Sequence, residues 1–216
     1  MTATLAAVLW DMDGTLIDSE PIWIAQQFVL AEQHGATWST EQGLALVGAD
    51  MHDTARAMQA VGVDLDSVEL VATLERAVID SLRETVLWRP GARELLSALR
   101  QRGIPCAIAT TSSHEMAELV ASAAPDGAIS VVVGSEDVTR TKPSPEPYLR
   151  AAELLGVRIE QCVAVEDSPN GLASAVASGA ATVAVPNDAV LPEAGAFTTW
   201  PTLAGRTVAD LAALLG

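Results

Sequence analysis

Basic side chains are scarce in this sequence. Twelve lysines and arginines stand against 28 aspartates and glutamates in 216 residues, a formal net charge of −16. A surface that acidic repels phosphate backbones and anionic headgroups, which argues against nucleic acid or anionic membrane as the main partner. It also disfavours an anionic substrate unless a local cation offsets the field. Cysteine is nearly absent: Cys106 and Cys162 each sit inside an apolar run. Two isolated cysteines make neither a disulfide framework nor a zinc site, so buried free thiols are expected. Aromatic residues make up 4% of the chain although 50% of it is hydrophobic, which predicts a core packed from alanine, valine and leucine. No run approaches the ~18 consecutive apolar residues of a membrane span. No basic segment precedes the first short apolar run, as one would in a secretory signal. The expectation is a cytoplasmic protein with no membrane partner and no obligate protein partner in evidence. Internal repeats and low-complexity segments are lacking as well.

What is present is an alternation. "LAAVLW" (5–10), "PCAIAT" (105–110), "AISVVV" (128–133), "CVAVE" (162–166) and "ATVAV" (181–185) are short and mostly apolar on both faces, as strands buried on two sides should be. Amphipathic segments lie between them. Ala92, Leu95, Leu96 and Leu99 follow helical spacing, as do Met116, Leu119, Val120 and Ala123. Tyr148, Ala151, Ala152 and Leu155 repeat it, and Val208, Leu211, Ala212 and Leu215 close the chain. Strand–helix alternation predicts an α/β fold with a doubly wound parallel sheet of five or six strands. One region breaks the rule. From about Asp18 to Leu87 the patterns are helical, with Ile24, Phe28, Ala31 and then Leu70, Leu74, Ala77, Val78, interrupted near Gly35, Gly48 and Gly62. Asp66 with Glu69 reads as a capping box for the longest of these helices. The predicted organisation is a core of residues 1–17 and 88–216, re-entered at "WRPG", with a helical cap of residues 18–87 inserted after the first strand.

In parallel α/β sheets ligands bind beyond the carboxyl ends of the strands. The first strand is followed by Asp11, Asp13 and Thr15, the second by Thr110, Thr111 and Ser112, and the fourth ends in Glu166, Asp167 and Ser168. Lys142, in the connection "TRTKPSPEP", is the only lysine beside eleven arginines. A compact ammonium differs from a planar fork, so a lysine kept here points to a role. Crowded carboxylates either retain a proton or share a cation. Asp11, Asp13 and Asp167 supply hard oxygens suited to Mg²⁺, and the hydroxyls and ammonium suit phosphate oxygens. That combination is a phosphoryl-transfer site. Plainer explanations exist residue by residue. An Asp after a strand is a common turn residue, Ser112 with Glu115 scores as a capping box, and Ser168–Pro169 as an N-cap followed by a first-turn proline. His34, His52 and His114 lack ligand spacing and are expected to face solvent. The five tryptophans are scattered and suit packing.

"DMDGT" (11–15), Thr110 at the end of the second strand, "KP" (142–143) and "EDS" (166–168) together resemble the four motifs of the haloacid dehalogenase-like hydrolases, in order and over nearly the whole chain. "DSEPIW" (18–23) and "EDSPNGLASAVASG" (166–179) resemble the subfamily with a small helical cap after the first motif, which includes sugar-phosphate phosphatases and β-phosphoglucomutase. The resemblance implies that Asp11 is a nucleophile forming an aspartyl phosphate and that Asp13 is the general acid, then base. It implies Mg²⁺ held by Asp11, the Asp13 carbonyl and Asp167, with Glu166 acting through water. Thr110 and Lys142 would hold the phosphoryl oxygens, with Gly14, Thr15, Thr111 and Ser112 around them and Arg56 of the cap a specificity candidate within "LVGADMHDTARAM" (46–58). A solvated helix charge is the plainer explanation for Arg56. Thr141 and Glu146 depart mildly from the family pattern. The expected activity is Mg²⁺-dependent hydrolysis of a small phosphorylated metabolite. A phosphosugar mutase is the alternative, and such a mutase carries a histidine where Trp23 stands. A phospho-accepting receiver domain is a third possibility, but receivers are about half this length and lack the helical insert.

Overall fold

The computed structural model describes residues 4–46 and 51–216. The predicted break at Gly48, and residues 47–50 of the stretch around Arg56, lie outside the described residues. The chain forms two units, Met1–Asp18 with Val86–Gly216, and Ser19–Thr85.

The first unit is built on a sheet whose strands are β1 (Ala7–Trp10), β2 (Cys106–Ala109), β3 (Ile129–Val133), β4 (Cys162–Glu166), β5 (Ala181–Ala184) and β6 (Thr198–Thr199). Their order is β3-β2-β1-β4-β5-β6 and every pairing is parallel. β1, β2 and β4 are buried along their full length because helices cover both sheet faces. Successive side chains alternate between faces. Ala7, Leu9, Ala107, Ala109, Cys162 and Ala164 share a cluster with Tyr148, Ala151 and Ala152 of helix α7 (Glu146–Leu155). These strand residues are mostly alanine, which is why so few aromatic side chains are needed: small residues bring α7 close to the sheet. Two expectations change. β3 is an edge strand and buries only Val132 and Val133 of its five residues. β6 has no apolar signature at all, being two exposed threonines that become a strand because β5 offers them an open edge.

β1 lies at the topological switch point. The chain leaves it toward β2 and β3 on one side and later passes to β4 and β5 on the other, which opens a crevice beyond its carboxyl end. After β1 the backbone turns tightly, with the Met12 carbonyl accepting from the amides of Thr15, Leu16 and Ile17. Outgoing and returning segments are then stitched together. Ile17 bridges Trp88, the Asp18 amide donates to Leu87 O (2.7 Å), and the Arg89 amide donates to Leu16 O (2.8 Å).

The second unit contains α1 (Glu20–Gln33), α2 (Thr40–Leu44), α3 (Met51–Ala60) and α4 (Ser67–Glu84). Leu30, Ala31, Trp38, Ala55, Met58, Val63, Leu70 and Leu74 form its own apolar core, with Trp23 packed against it. The buried Trp38 indole donates to Gln27 Oε1 (3.1 Å), so its one polar atom is satisfied. Asp66 caps α4, accepting from the amides of Val68 and Glu69 at 2.9 Å each. Replacing that cap removes acceptors from two exposed helix-end amides. Asp66→Ala should lower stability by about 1 kcal/mol, read from chemical denaturation; an unchanged midpoint would mean that α4 does not depend on its cap.

Candidate active site

Each predicted acid is delivered by the end of a strand. Asp11 follows β1, and its amide donates to Val165 O of β4 (3.0 Å), so the ladder continues one residue past the assigned strand. Glu166 is the last residue of β4. Because β1 and β4 run parallel in register, with Trp10 opposite Val165, Asp11, Glu166 and Asp167 arrive side by side. Oxygens of the three lie within 4.8 Å of one another, and all three residues are buried.

One ammonium holds them. Lys142, its side chain 4% exposed, places Nζ 2.5 Å from Asp11 Oδ1 and 2.6 Å from Glu166 Oε1. Burial by itself would lower the lysine pKa, but Asp11 and Glu166 outweigh it and hold the ammonium above its usual value. Lys142 arrives on the loop before α7. The Glu146 carboxylate accepts from the Thr139 amide (2.6 Å) and the Arg140 guanidinium (3.4 Å), bracing that loop. Ser174 of α8 (Pro169–Ser178) ties it down from the other side by donating to Ser144 O (2.5 Å).

Glu166 is fully saturated. Tyr148 donates its hydroxyl to Oε1 (2.6 Å), and Oε2 accepts from the Asp167 amide (3.2 Å) and the Ser168 hydroxyl (3.4 Å). The Lys142 ammonium also lies 5.3 Å from the centre of the Tyr148 ring. A side chain at Gly171 would put its Cβ about on top of the Glu166 carboxylate, 1.9 Å from Oε2. Sequence reading used Tyr148 only as a core residue and passed over Gly171. The available signal was that Tyr148 is the chain's only tyrosine. Ser168 caps α8 as expected, accepting from the Gly171 amide (3.1 Å).

Asp167 is held by Thr15, whose buried hydroxyl donates to Oδ1 (3.3 Å). The Thr15 side chain thus faces the acid. Gly14 is required twice over: its φ is +81°, and a Cβ there would lie 2.0 Å from Asp167 Oδ2. Thr110, 1% exposed, continues the β2–β3 ladder by donating its amide to Val133 O (3.0 Å). Thr111 is exposed and Ser112 half-buried. The Ser112 hydroxyl donates to Asp13 Oδ2 (2.6 Å). It does not cap the next helix, α6 (His114–Ala123); that position belongs to Ser113. Nor is His114 a simple solvent-facing histidine, because its ring meets Asp137 at 2.5 Å. Arg56, in the helical unit, is exposed and paired with Asp53 on its own helix. Both cysteines are buried and free, and burial pushes their thiols up to about 12 (Cys106) and about 11 (Cys162), which keeps them protonated and unreactive.

Three carboxylates with one ammonium leave a negative pocket. Burial, then Asp11, pushes Glu166 up to about 7, and burial with Asp11 and Glu166 pushes Asp167 up to about 9. Asp11 Oδ2 is buried without a hydrogen-bond partner among the described residues. Three carboxylates with oxygens within 4.8 Å of one another form an all-oxygen, electron-rich donor set that fits a hard divalent cation. A carboxyl with a raised folded-state pKa contributes stability below its ordinary range and loses that contribution as pH rises through the raised value. Here the window runs from the ordinary carboxylate range to about 9. Lys142 offsets the loss, so in EDTA Lys142→Met should cost about 3 kcal/mol at pH 8 and distinctly less at pH 5.5, where the acids take up protons. Equal losses at both pH values, by denaturant titration, would contradict this electrostatic account.

Residues 5–179 match the haloacid dehalogenase-like hydrolase family. Hexitol phosphatase A of Escherichia coli is 36% identical over 178 residues, 82% of this chain and 81% of that protein. N-acetylmuramic acid 6-phosphate phosphatase of Pseudomonas aeruginosa is 35% identical over 196 residues, 88% of this chain and 85% of that protein. The crystal structure of CbbY from Rhodobacter sphaeroides in complex with phosphate matches with a TM-score of 0.83 at 25% identity, over 96% of this chain and 99% of that one. With the aligned strand-end acids and the lysine between them, these matches lead to one conclusion: the chain is an enzyme of the haloacid dehalogenase-like hydrolase family.

Proposed function

We propose that the protein is a Mg²⁺-dependent phosphatase that hydrolyses small phosphomonoesters, sugar or sugar-alcohol phosphates first among them, through an aspartyl-phosphate intermediate. The observation that carries the proposal is Asp11, whose Oδ1 is pinned by Lys142 while its buried Oδ2 has no partner among the described residues. A carboxylate held this way is oriented without being quenched, as a nucleophile must be. Both relatives named above are phosphatases of phosphorylated sugar-like compounds by name, which favours hydrolysis over the mutase alternative.

In the first step Asp11 attacks phosphorus, the bond from phosphorus to the ester oxygen breaks, and that oxygen takes the proton of the Asp13 carboxyl. In the second, Asp13 as carboxylate takes a proton from water, which attacks phosphorus and cleaves the aspartyl phosphate, freeing inorganic phosphate and restoring Asp11. Lys142 and Thr110 bind phosphoryl oxygens, joined by groups at Gly14 and Thr111. Asp11, Asp167 and the Asp13 carbonyl would hold Mg²⁺, which when bound neutralises phosphate charge. Glu166, with each oxygen already hydrogen-bonded, acts mainly to anchor Lys142. Substrate choice is assigned to the helical unit, residues 19–85, with Arg56 a candidate.

Phosphate release from a panel of sugar and sugar-alcohol phosphates should require Mg²⁺ and cease in EDTA. Asp11→Asn should fold normally and lose about 10³-fold or more in turnover. Isomerised sugar phosphate without free phosphate would sink the hydrolase reading. Independently of turnover, millimolar Mg²⁺ should raise the melting temperature of the wild type by mass action and leave that of Asp167→Asn nearly unmoved. If both melt alike with and without Mg²⁺, the carboxylate cluster is not a metal site.

A further inference from the structure

We infer that Ser112 is a positioning residue for Asp13 and that the turn leaving β3, residues 134–137, locks it in place. The inference deepens the proposed function and rests on the proton-transfer role given there to Asp13.

Ser112 is bonded through three of its polar groups, each to a different segment. Its hydroxyl donates to Asp13 Oδ2 (2.6 Å), its amide donates to Thr110 Oγ1 (3.1 Å), and its carbonyl accepts from the Ser135 amide (2.9 Å). Because Ser113 takes the N-cap of α6, the Ser112 hydroxyl is not committed to the helix end. The turn after β3 presses against the same loop. A Cβ at Gly134 would lie 2.5 Å from the His114 amide nitrogen, so only glycine permits the approach. Asp137 Oδ2 accepts from the Gly134 amide (2.8 Å) and meets His114 Nδ1 (2.5 Å), while Glu136 accepts from the His114 amide (2.9 Å). The loop from Thr110 to His114 is thereby clasped from outside the reacting set.

The consequence is chemical. The Ser112 hydroxyl, donating to Oδ2 of Asp13 from a clasped loop, fixes the orientation of that carboxyl. As the carboxyl O–H bond breaks and the leaving oxygen gains the proton, Asp13 becomes a carboxylate and the Ser112 hydrogen bond becomes charge-assisted and stronger. An interaction that strengthens in the transition state raises the rate rather than ground-state binding. Its value scales with how badly the leaving group needs a proton. An alkoxide needs one; a nitrophenolate scarcely does.

The test compares kcat/KM, which reports the step in which the ester bond breaks, on hexitol 6-phosphate and on p-nitrophenyl phosphate. Ser112→Ala should lose about tenfold on the alkyl ester, a fraction of what general acid catalysis supplies, and less than about threefold on the aryl ester. Ser112→Thr, which keeps a hydroxyl, should stay within about threefold of wild type on both. Asp137→Asn, which loosens the clasp, should show the same selective loss at smaller size. Melting temperatures identify any variant that merely fails to fold, and the aryl-to-alkyl ratio of the remaining activity still decides. Equal losses on the two esters, or no loss on the alkyl ester, would overturn the inference while leaving the phosphatase reading intact. A wild type inactive on both would instead overturn the parent reading, and this inference with it.

Discussion

The rest of the active site depends on one ion triplet: the Lys142 ammonium seated between Asp11 and Glu166. Two carboxylates with oxygens within 4.8 Å of each other in a buried pocket are mutually repulsive, and a third, Asp167, adds to the load. Removing such charges from water is costly unless each finds close partners. Much of the surrounding sequence supplies them. Tyr148 and the Ser168 hydroxyl satisfy Glu166, and Thr15 supports Asp167. Gly14 and Gly171 give up side chains so that the acids can sit against backbone. What stays unsatisfied is Asp11 Oδ2, the atom that the proposed chemistry would use.

Parallel pairing makes this arrangement possible. β1 is flanked by β2 and β4 in register, so three strand ends converge on one crevice without any of the acids being near another segment in sequence. Alanine-rich strand faces let α7 approach closely, and α7 brings Tyr148 with it, while the loop just before it carries Lys142. Packing and chemistry are thus linked through a single helix: the face that fills the core also sets the ammonium.

Much of this was legible beforehand. Short apolar runs separated by helical spacing announced the doubly wound sheet, because hydrophobic periodicity is a local property of each segment. The lone lysine stood out by composition, and Asp11 and Asp13 stood out as acids abutting a buried strand. Where local signals were absent, the reading failed. β6 consists of two exposed threonines and exists only through β5. Edge exposure of β3 is a matter of topology, not of its valines. The capping pattern around Ser112 was off by one residue, since two adjacent serines offer equivalent local signals and only the path of the loop chooses between them.

The sequence alone determined the parts: which residues are acids, where the one ammonium lies, and that strand ends carry them. Residue identity and short-range spacing suffice for that. Only the tertiary structure decided the pairings. Ser112 serves Asp13 across 99 positions, Thr15 serves Asp167 across 152, and Lys142 reaches Asp11 across 131. Hydrogen bonds are made or missed within about half an ångström. Contacts between segments so far apart are set by strand register and loop path, which no local pattern encodes.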